Sequence, residues 1–481
     1  MAQGWADSGL DLHLLVDRRR KVASLEEALR DAIAEGRLGG GTRLPPSRTL
    51  AVDLGIARNS VAEVYSRLVA EGRLEARVGA GTWVAERPAS GAATTAPVHR
   101  STRFDLDLRG GLPDGSAFPR TAWARATAKA LAEASGAALG YAPTEGVAPL
   151  RAALADYLGR ARGVVASAHD VLVTHGFGEL LGLVARAVAA RGGRRIAVEG
   201  YGHVSHRDLL VAAGLEPVPL RVDDDGAVID TLAEASVDAV LLTPAHQFPT
   251  GVPLSGARRA ALARWAEQTG ALVVEDDYDG EFRYDRRVIG AMQALAPDHV
   301  VYGGTASKSL SPALGIGWGV VPEAWRDDVL AQRRRSGAAT DAITQLALAA
   351  FLEAGDYDRT VRSLRLRYRA RRERFEAVMA LDVPGSRTVG LAAGIHCLLE
   401  LPDGVAEADV SAAAAALGLR VDGLGAYAAG PPDLVGARPP AMVIGYGAPP
   451  AHRFEDALGA VVAAIGAARE GRAPRADLTP G

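Results

Sequence analysis

Short apolar runs alternate with helical segments through the middle of the chain, and this alternation constrains the fold more than any other feature. The runs cover residues 171–174, 195–199, 217–222, 239–243, 271–276, 300–303 and 317–321. Runs this apolar are typical of parallel strands that helices cover on both faces of the sheet. We therefore predict an α/β domain with a mostly parallel sheet over residues 105–375.

The C-terminal part of the chain has a different pattern. After an arginine-rich helix around residues 359–375, the extended runs are fewer and farther apart, at 395–401 and 442–446. A helix over residues 454–468 follows them. This spacing predicts a smaller α+β domain over residues 376–481.

The N-terminal segment, residues 1–86, combines three predicted helices with a hairpin. The helices are predicted over 25–33, 47–54 and 59–71, and the strands over 73–78 and 82–84. Glycine supplies the positive φ angles of a hairpin tip, so Gly79-Ala80-Gly81 predicts a small β-wing. This combination indicates a winged helix-turn-helix DNA-binding domain. Residues 87–104, rich in Ala, Ser, Thr, Pro and Gly, are expected to form a linker.

Composition excludes several classes of protein. The 481 residues are 48% hydrophobic and 23% charged, with a formal net charge of -3, which excludes a wholly basic nucleic-acid coat. DNA contact must therefore come from a local patch. Cys397 is the one cysteine, and one thiol cannot form an internal disulfide. The N-terminal sequence lacks the order of a secretory signal, and Arg186 and Arg191 interrupt the longest apolar stretch, so we expect a cytoplasmic protein without a membrane span.

Residues suited to DNA contact cluster around the second and third predicted helices and the wing. The candidates are Arg43, Ser47, Arg48, Arg58, Asn59, Ser60, Gly79 and Gly81. Ser47 is expected to cap the second helix and to leave Arg48 near a phosphate. Arginine grips guanine or phosphate with two donors, so Arg58 is the candidate for base recognition and Arg43 and Arg48 for backbone anchoring. The alternative is that these are ordinary solvated arginines in an arginine-rich chain.

Lys308 is one of only three lysines in the chain, the others being Lys21 and Lys129. It follows small polar residues in Gly304-Thr-Ala-Ser-Lys308, and upstream of it Asp276 ends an apolar strand. A lysine amine can lose its proton and form a Schiff base, whereas arginine cannot. Open α/β sheets bind ligands at the carboxyl ends of their strands, so Asp276 is a candidate partner for a protonated ring nitrogen. The alternative is an exposed lysine without a special role.

Four separated pieces of the N-terminal segment resemble, in order, the GntR-type winged helix. They are Gly41-Thr-Arg-Leu-Pro-Pro-Ser-Arg48, Leu50-Ala-Val-Asp-Leu-Gly55, Arg58-Asn-Ser-Val-Ala-Glu-Val-Tyr65 and Gly79-Ala-Gly-Thr82. The body resembles the fold-type I aminotransferases in the Asp276 and Lys308 segments and in residues 141–151, 243–251 and 393–401. The combination is similar to the MocR/GabR family of regulators. The resemblance implies a fold-type I transferase-like body behind the DNA-binding domain.

The same resemblance implies pyridoxal 5'-phosphate as the cofactor. Lys308 would form the Schiff base, Asp276 would bind the pyridine nitrogen and Tyr278 would contact the ring hydroxyl. Tyr201 would stack on the ring, and His246 would lie near it.

The phosphate and the partners follow from the same family pattern. Thr305 and Ser307 would reach the phosphate, and the backbone N–H groups of Gly176, Phe177 and Gly178 can bind an anion at the start of a helix. Family members form head-to-tail homodimers, and this chain is expected to bind a double-stranded DNA operator and a small-molecule effector.

Three positions depart from the family pattern. Gly315 stands where family members usually carry an arginine, and the phosphate loop is His175-Gly-Phe-Gly178, without hydroxyl and amide donors. Residues 441–446 lack the arginine that some relatives use for a substrate carboxylate. A phosphate without its arginine loses charge-assisted hydrogen bonds of roughly 1.5–3 kcal/mol each, so we expect weakened affinity for pyridoxal phosphate.

These observations leave three hypotheses. The first is a regulator whose body binds pyridoxal phosphate on Lys308 and senses a small amine, amino acid or vitamin B6 compound, with weak or no turnover. The second is an active aminotransferase, ranked lower because of the arginine missing from 441–446. The third is a regulator whose body has lost the cofactor. No metal site is expected, because His203 and His206 have no further ligand pair at zinc spacing.

Overall fold

The computed structural model describes residues 20–77, 81–86, 104–284, 289–337 and 339–471. The chain divides into two compact units, Met1–Ser101 and Thr102–Gly481. Of the predicted linker, only Phe104 lies within the described residues, and Gly79 of the predicted wing tip lies outside them.

The first unit has three helices and a three-stranded antiparallel sheet of order β1-β3-β2. Its elements are α1 (Lys21–Ala34), β1 (Arg43–Leu44), α2 (Ser47–Leu54), α3 (Arg58–Ala70), β2 (Leu74–Arg77) and β3 (Gly81–Val84). Val61, Val64 and Leu68 share one face of α3 and are fully buried against Leu25 and Leu29 of α1. The predicted winged helix is confirmed.

The predicted cap of α2 is wrong. The helix begins at Ser47 itself, Pro46 occupies the N-cap position with φ -55°, and no side chain caps the helix. Because Ser47 already has helical backbone angles, its hydroxyl is not placed as an N-cap acceptor. At the other end Gly55 closes the helix with φ 61°, a left-handed conformation that glycine adopts without strain.

The second unit contains the remaining strands and helices. Its strands are β4 (Leu106–Asp107), β5 (Val171–Thr174), β6 (Arg195–Glu199), β7 (Glu216–Leu220), β8 (Val222–Asp223), β9 (Gly226–Ala227), β10 (Ala239–Leu242), β11 (Leu272–Asp276), β12 (Val300–Thr305), β13 (Gly317–Val320), β14 (Arg387–Val389), β15 (Cys397–Glu400), β16 (Leu419–Arg420), β17 (Asp422–Gly423) and β18 (Ala441–Ile444). Its helices are α4 (Arg120–Glu133), α5 (Ala148–Arg162), α6 (Phe177–Ala190), α7 (Val204–Ala212), α8 (Leu232–Ala235), α9 (Gly256–Thr269), α10 (Glu323–Ser336), α11 (Ala342–Glu353), α12 (Asp356–Asp382), α13 (Glu407–Ala416), α14 (Pro432–Val435) and α15 (Phe454–Arg469). No helix in the described ranges is both long enough and apolar enough to cross a membrane.

Seven strands form the central sheet, in the order β5-β13-β12-β11-β10-β6-β7. The five strands from β12 to β7 in this order pair in parallel, whereas β13 runs antiparallel to both of its neighbours. In the central strand β11, Leu272 and Val274 pack with α6 on one face, and Val273 packs with α9 on the other. The sheet is therefore mostly parallel and covered on both faces, as predicted.

The C-terminal part forms a smaller α+β structure, as predicted. Its four-stranded antiparallel sheet has the order β14-β15-β18-β17, and its buried residues share one core with α13 and α15. The long helix α12 runs through the predicted domain boundary at residue 375. The two predicted domains of the body therefore belong to one compact unit joined by a continuous helix.

Candidate functional site

The carboxyl ends of neighbouring strands meet at one edge of the central sheet and carry most of the predicted cofactor residues. β6 ends at Glu199, β11 at Asp276 and β12 at Thr305, and Thr243 directly follows β10. A small pocket opens at this edge. It is lined by Val198, Glu199, Tyr201, Gly202, His203, His206, Arg207, Leu241, Leu242, Thr243, Phe248 and Asp276. This is the edge at which open α/β sheets bind ligands.

Three aspartates lie close together at the end of β11, and each has a different environment. Asp277 forms a buried ion pair with Arg162, in which Oδ2 lies 2.6 Å from Nε. Asp279 Oδ2 lies 2.9 Å from His246 Nδ1. Asp276 Oδ1 is buried and has no hydrogen-bond partner within the described part of the chain. Because a buried carboxylate oxygen without a donor is costly, Asp276 is the aspartate suited to a donor supplied by a ligand.

Lys308 lies in the turn after β12, close enough to Asp276 for the charge of each residue to act on the other. Gly111 lies beside the amine, since a Cβ atom on it would be 3.5 Å from Lys308 Nζ, an ordinary van der Waals contact. Burial lowers the pKa of Lys308, and the charge of Asp276 opposes this effect. Burial raises the pKa of Asp276 well above its ordinary value, opposed by the charge of Lys308. A lowered lysine pKa favours the neutral amine, the form that attacks a carbonyl carbon.

His203 and His206, which the sequence analysis set aside as metal ligands, line the same pocket. His206 Nδ1 lies 4.0 Å from Asp276 Oδ2, and the two histidine rings have centroids 5.1 Å apart. Burial lowers the pKa of His203 to about 4 and that of His206 to about 3, and the charge of Lys308 contributes to both shifts. Both rings are therefore neutral at pH 7. His203 and His206 are three residues apart at the start of α7, and residues at this spacing lie on the same face of a helix. This spacing could have identified the pair from the sequence.

Tyr201, the predicted ring-stacking residue, is a buried lining residue of the pocket. Its hydroxyl donates a hydrogen bond to the Gly436 carbonyl oxygen at 2.8 Å. This bond fixes the tyrosine ring against the C-terminal part of the unit. The pocket wall therefore contains both Tyr201 and His203, and the sequence analysis identified only the first.

His246 and Tyr278 lie together beside the pocket. The Tyr278 hydroxyl donates to the His246 carbonyl oxygen at 3.0 Å and lies 3.1 Å from His246 Nδ1. The ring of His396 packs on His246 with centroids 5.0 Å apart. His246, Asp279 and His396 offer metal-binding atoms within 4.8 Å of one another, a set that the sequence analysis missed because its members come from distant segments. Within this cluster, His246 Nδ1 is hydrogen-bonded to Asp279, whereas His246 Nε2 and both ring nitrogens of His396 have no hydrogen-bond partner in the described residues.

The residues expected to contact a phosphate meet at a second place, termed here the anion corner: His175–Gly178, Thr305–Ser307 and Gly315. Thr174 of β5, Gly317 of β13 and Thr305 of β12 are neighbours in register, which brings these segments together. The Thr305 and Ser307 hydroxyls are hydrogen-bonded at 2.8 Å. Gly176 is the N-cap of α6 with φ 129°, and Phe177 and Gly178 begin the helix.

In the first unit, Arg58 and Asn59 are exposed at the start of α3, with Ser60 partly exposed behind them. Arg48 is exposed on the first turn of α2. Neither Arg48 nor Arg58 has a side-chain hydrogen bond or ion pair within the described residues. Each guanidinium can therefore offer a pair of N–H donors to a phosphate or a base.

Other arginines of the first unit, including Arg43 beside the wing, contact residues of the same unit. The Arg43 guanidinium lies over the Trp83 ring at 5.5 Å, and a Cβ at Gly81 would lie 3.2 Å from Arg43 Nε. Arg67 pairs with Glu63 at 2.6 Å, and Arg30 pairs with Glu71 at the same distance. Arg48 and Arg58 differ from these arginines, because their exposed guanidinium groups have no intramolecular partner within the described residues.

Comparison with known sequences gives the same division of the chain. Residues 21–84 match the family Bacterial regulatory proteins, gntR family, and residues 106–419 match Aminotransferase class I and II. The probable rhizopine catabolism regulatory protein MocR of Rhizobium meliloti is 34% identical over 389 residues, covering 76% of this chain and 79% of the relative. The chain belongs to the MocR-type family. A second relative, the HTH-type pyridoxine biosynthesis transcriptional regulator PdxR of Corynebacterium glutamicum, is 33% identical over 386 residues, covering 78% and 82%.

Solved structures support the fold of the body in this MocR-type chain. A multiple substrate aminotransferase from Thermococcus profundus superimposes with a TM-score of 0.68 at 22% identity, covering 77% of this chain and 93% of that protein. LysN, the alpha-aminoadipate aminotransferase of Thermus thermophilus, gives 0.67 at 23% identity, covering 76% and 93%. At these identities the likeness shows the fold alone. The second unit is therefore an aminotransferase fold attached to a gntR-type head.

Proposed function

We propose that this chain is a transcription regulator that binds a DNA operator through its first unit and senses a small molecule through its second. The two relatives described above, MocR and PdxR, are named as regulatory proteins. The exposed Arg48 and Arg58, which have no intramolecular partners within the described residues, support operator binding. A regulator of this kind acts where the chromosome lies, in the cytoplasm. Following the family pattern, it acts as a head-to-tail homodimer, which light scattering of the purified chain tests.

The second part of the proposal concerns Lys308. Its amine condenses with an aldehyde of the pyridoxal class, and the family pattern makes pyridoxal phosphate the expected member. LysN of Thermus thermophilus was solved with N-(5'-phosphopyridoxyl)-L-leucine, an amine that carries the phosphorylated ring of this cofactor. The effector is a small amine, an amino acid or a vitamin B6 compound that changes the state of this aldehyde.

The observation that carries this proposal is the unsatisfied Oδ1 atom of Asp276 beside an amine of lowered pKa. A bound pyridoxal-type aldehyde supplies an electrophilic carbon and a ring that accepts electrons when its nitrogen is protonated. Asp276 holds the proton on that ring nitrogen, and His206 lies behind the second oxygen of the same carboxylate. Burial lowers the pKa of Lys308, which favours the neutral amine that the condensation requires.

Chemical trapping tests the role of Lys308. The full chain is incubated with pyridoxal phosphate or pyridoxal and reduced with borohydride, and the modified peptide is identified by mass spectrometry. With three lysines in the chain, each site is resolved separately. We expect labelling of Lys308 that Lys308→Ala abolishes and that Lys129→Ala, at an exposed position on α4, leaves unchanged. A chain that is not labelled, or is labelled equally at Lys129, contradicts the proposal.

Operator binding is tested by footprinting the region upstream of the chain's own coding sequence, with and without the aldehyde. We expect a protected site whose extent or affinity changes when the aldehyde is present. Protection that is absent, or identical in both states, contradicts the sensing part of the proposal.

An active aminotransferase is the alternative, because the second unit matches the Aminotransferase class I and II family and contains a buried lysine of lowered pKa. Half-reaction kinetics with a panel of amino acids separates the two. Conversion of the bound aldehyde to its amine at enzymatic rates supports the enzyme, whereas slow or absent conversion supports the regulator.

A further inference from the structure

The anion corner has no side chain of positive charge where the fold family places one. Gly315 has φ 55°, and a Cβ placed on it would meet no atom within 4 Å. The corner is therefore open at this position but carries no guanidinium. Arg207, a cation that lines the pocket, donates to the carbonyl oxygens of Gly202, Tyr427 and Ala428 and is committed to the backbone.

A carboxylate already lies at the helix terminus of the anion corner. Glu179, on the first turn of α6, accepts a hydrogen bond from the His175 backbone N–H at 2.6 Å. Its nearest cation is Arg333, whose Nε lies 3.7 Å away and whose other nitrogens donate to Val173 and Thr340. The favourable electrostatic position at the start of α6 is thus used by an internal anion. A phosphate dianion brought to the same terminus would be repelled by it.

Phe177 replaces polar donors with an apolar ring. It is buried, its ring packs against His206 with centroids 5.2 Å apart, and a Cβ at Gly303 would lie 2.5 Å from it. Glycine at position 303 therefore leaves space for the Phe177 ring, which forms one side of the anion corner. The side-chain donors in this corner are the exposed imidazole of His175 and the hydroxyls of Thr305 and Ser307, which already bond to each other. Paired hydroxyls suit a neutral hydroxyl group better than a dianion, because they carry no charge.

We propose, building on the condensation at Lys308 proposed above, that this pocket selects the aldehyde that lacks a phosphate, a pyridoxal-type hydroxypyridine aldehyde. The ring end of the site fits this class through Asp276 and Lys308, whereas the phosphate end does not fit a phosphate ester. The Lys308 nitrogen attacks the aldehyde carbon, a C=N bond replaces the C=O bond, and the oxygen leaves as water with the two amine protons. No oxidant, reductant or further reactant is needed.

The test compares three aldehydes on the full chain: pyridoxal phosphate, pyridoxal and 5-deoxypyridoxal, which cannot close into an internal hemiacetal. Absorbance titration gives the half-saturation concentration of each aldehyde with the chain. This value is divided by the half-saturation concentration of the same aldehyde with N-acetyl-lysine in the same buffer. Borohydride trapping then assigns the product to Lys308. We expect the phosphate-free aldehydes to saturate at concentrations about tenfold or more below pyridoxal phosphate, because the phosphate lacks a charge-assisted partner. Equal or tighter binding of pyridoxal phosphate at Lys308 overturns the selectivity and leaves the condensation standing. No labelling with any aldehyde overturns both.

Restoring the missing charge provides a second, independent measurement. We expect Gly315→Arg and Glu179→Gln each to tighten pyridoxal phosphate about tenfold while changing 5-deoxypyridoxal less than about threefold. Gly270→Arg is the matched control, since Gly270 has φ 71°, open space around its Cβ position and a place at the end of α9. If pyridoxal phosphate responds to Gly270→Arg as much as to Gly315→Arg, or responds to neither Gly315→Arg nor Glu179→Gln, the proposal is wrong.

Discussion

The rings of His203 and Phe248 lie face to face, with centroids 4.0 Å apart and planes inclined by only 6°. Both residues line the pocket, and Phe248 is 2% exposed. Phe248 therefore covers the His203 face that a planar ligand ring would otherwise use. A ligand that stacks on His203 must first displace the Phe248 ring.

Replacing this ring tests that relationship. We expect Phe248→Leu to increase the rate of aldehyde binding about threefold or more, because a smaller side chain leaves the His203 face partly open, at a stability cost of about 1–2 kcal/mol. Stopped-flow absorbance measures the rate. Phe351→Leu, a buried phenylalanine that packs on Trp123 away from the pocket, is the control for loss of core packing. An unchanged rate in Phe248→Leu would show that ligands do not use this face.

Asp276 and Asp277 are adjacent in sequence but should give opposite phenotypes. We expect Asp276→Asn to weaken aldehyde binding about tenfold or more with little effect on unfolding, since its Oδ1 has no partner in the described residues. Asp277→Asn leaves the buried Arg162 guanidinium without its counter-charge and should destabilise the fold by about 3–5 kcal/mol. Borohydride labelling and denaturant unfolding of both variants give the two readouts. Equal effects of both substitutions on binding would remove Asp276 from its assigned role.

Glu199 makes stability depend on pH. Burial raises its pKa from 4.5 to about 7, although its carboxylate accepts a hydrogen bond from the Thr243 N–H at 3.0 Å. Because the pKa is raised in the folded state, the stabilising contribution is fully present below pH 4.5 and is lost as the pH rises to about 7. The difference in unfolding free energy between Glu199→Gln and the natural chain should grow, in favour of the variant, by about 2–3 kcal/mol between pH 5 and pH 8. Glu267→Gln, at an exposed position of α9, should show no such trend.

Arg58 and Arg48 should differ in how they affect DNA binding. We expect Arg58→Ala to cost about 1–3 kcal/mol on the operator and much less on scrambled DNA, as for a base contact. Arg48→Ala should weaken binding to both DNAs and reduce the salt-dependence slope by about 1, as for a phosphate contact. Fluorescence anisotropy over a range of salt concentrations measures both effects. Arg67→Ala, which breaks an intramolecular pair with Glu63, should leave the slope unchanged.

Phe177 and Gly303 form a matched pair in the wall of the site. We expect Gly303→Ala to destabilise the fold by about 1–3 kcal/mol, because its Cβ would lie 2.5 Å from the Phe177 ring. Combining it with Phe177→Ser should recover part of this loss, which a double-mutant cycle in denaturant unfolding measures. Strict additivity of the two changes would contradict the contact.

The parts of this structure that depend on local patterns were predicted from the sequence. Periodicity located the winged helix and the strands of the central sheet, and the strand-end rule with the scarcity of lysine made Asp276 and Lys308 the candidates for the site. The roles of Phe248, His203 and the His246–His396 pair were missed, because ring contacts join segments that only the folded sheet brings together. The Ser47 cap failed for a local reason, since Pro46 shifts the start of the helix by one position.

Asp276, the last residue of β11, and Asp277, the residue directly after it, point to opposite faces of the sheet, which assigns Asp276 to the pocket and Asp277 to its ion pair with Arg162. A slip of one residue between β11 and β12 would exchange the two carboxylates, leaving Arg162 unmatched and removing the acid from Lys308. The aldehyde chemistry therefore depends on the correct register between these central strands. A misaligned chain would lose its aldehyde chemistry and a large part of its stability together.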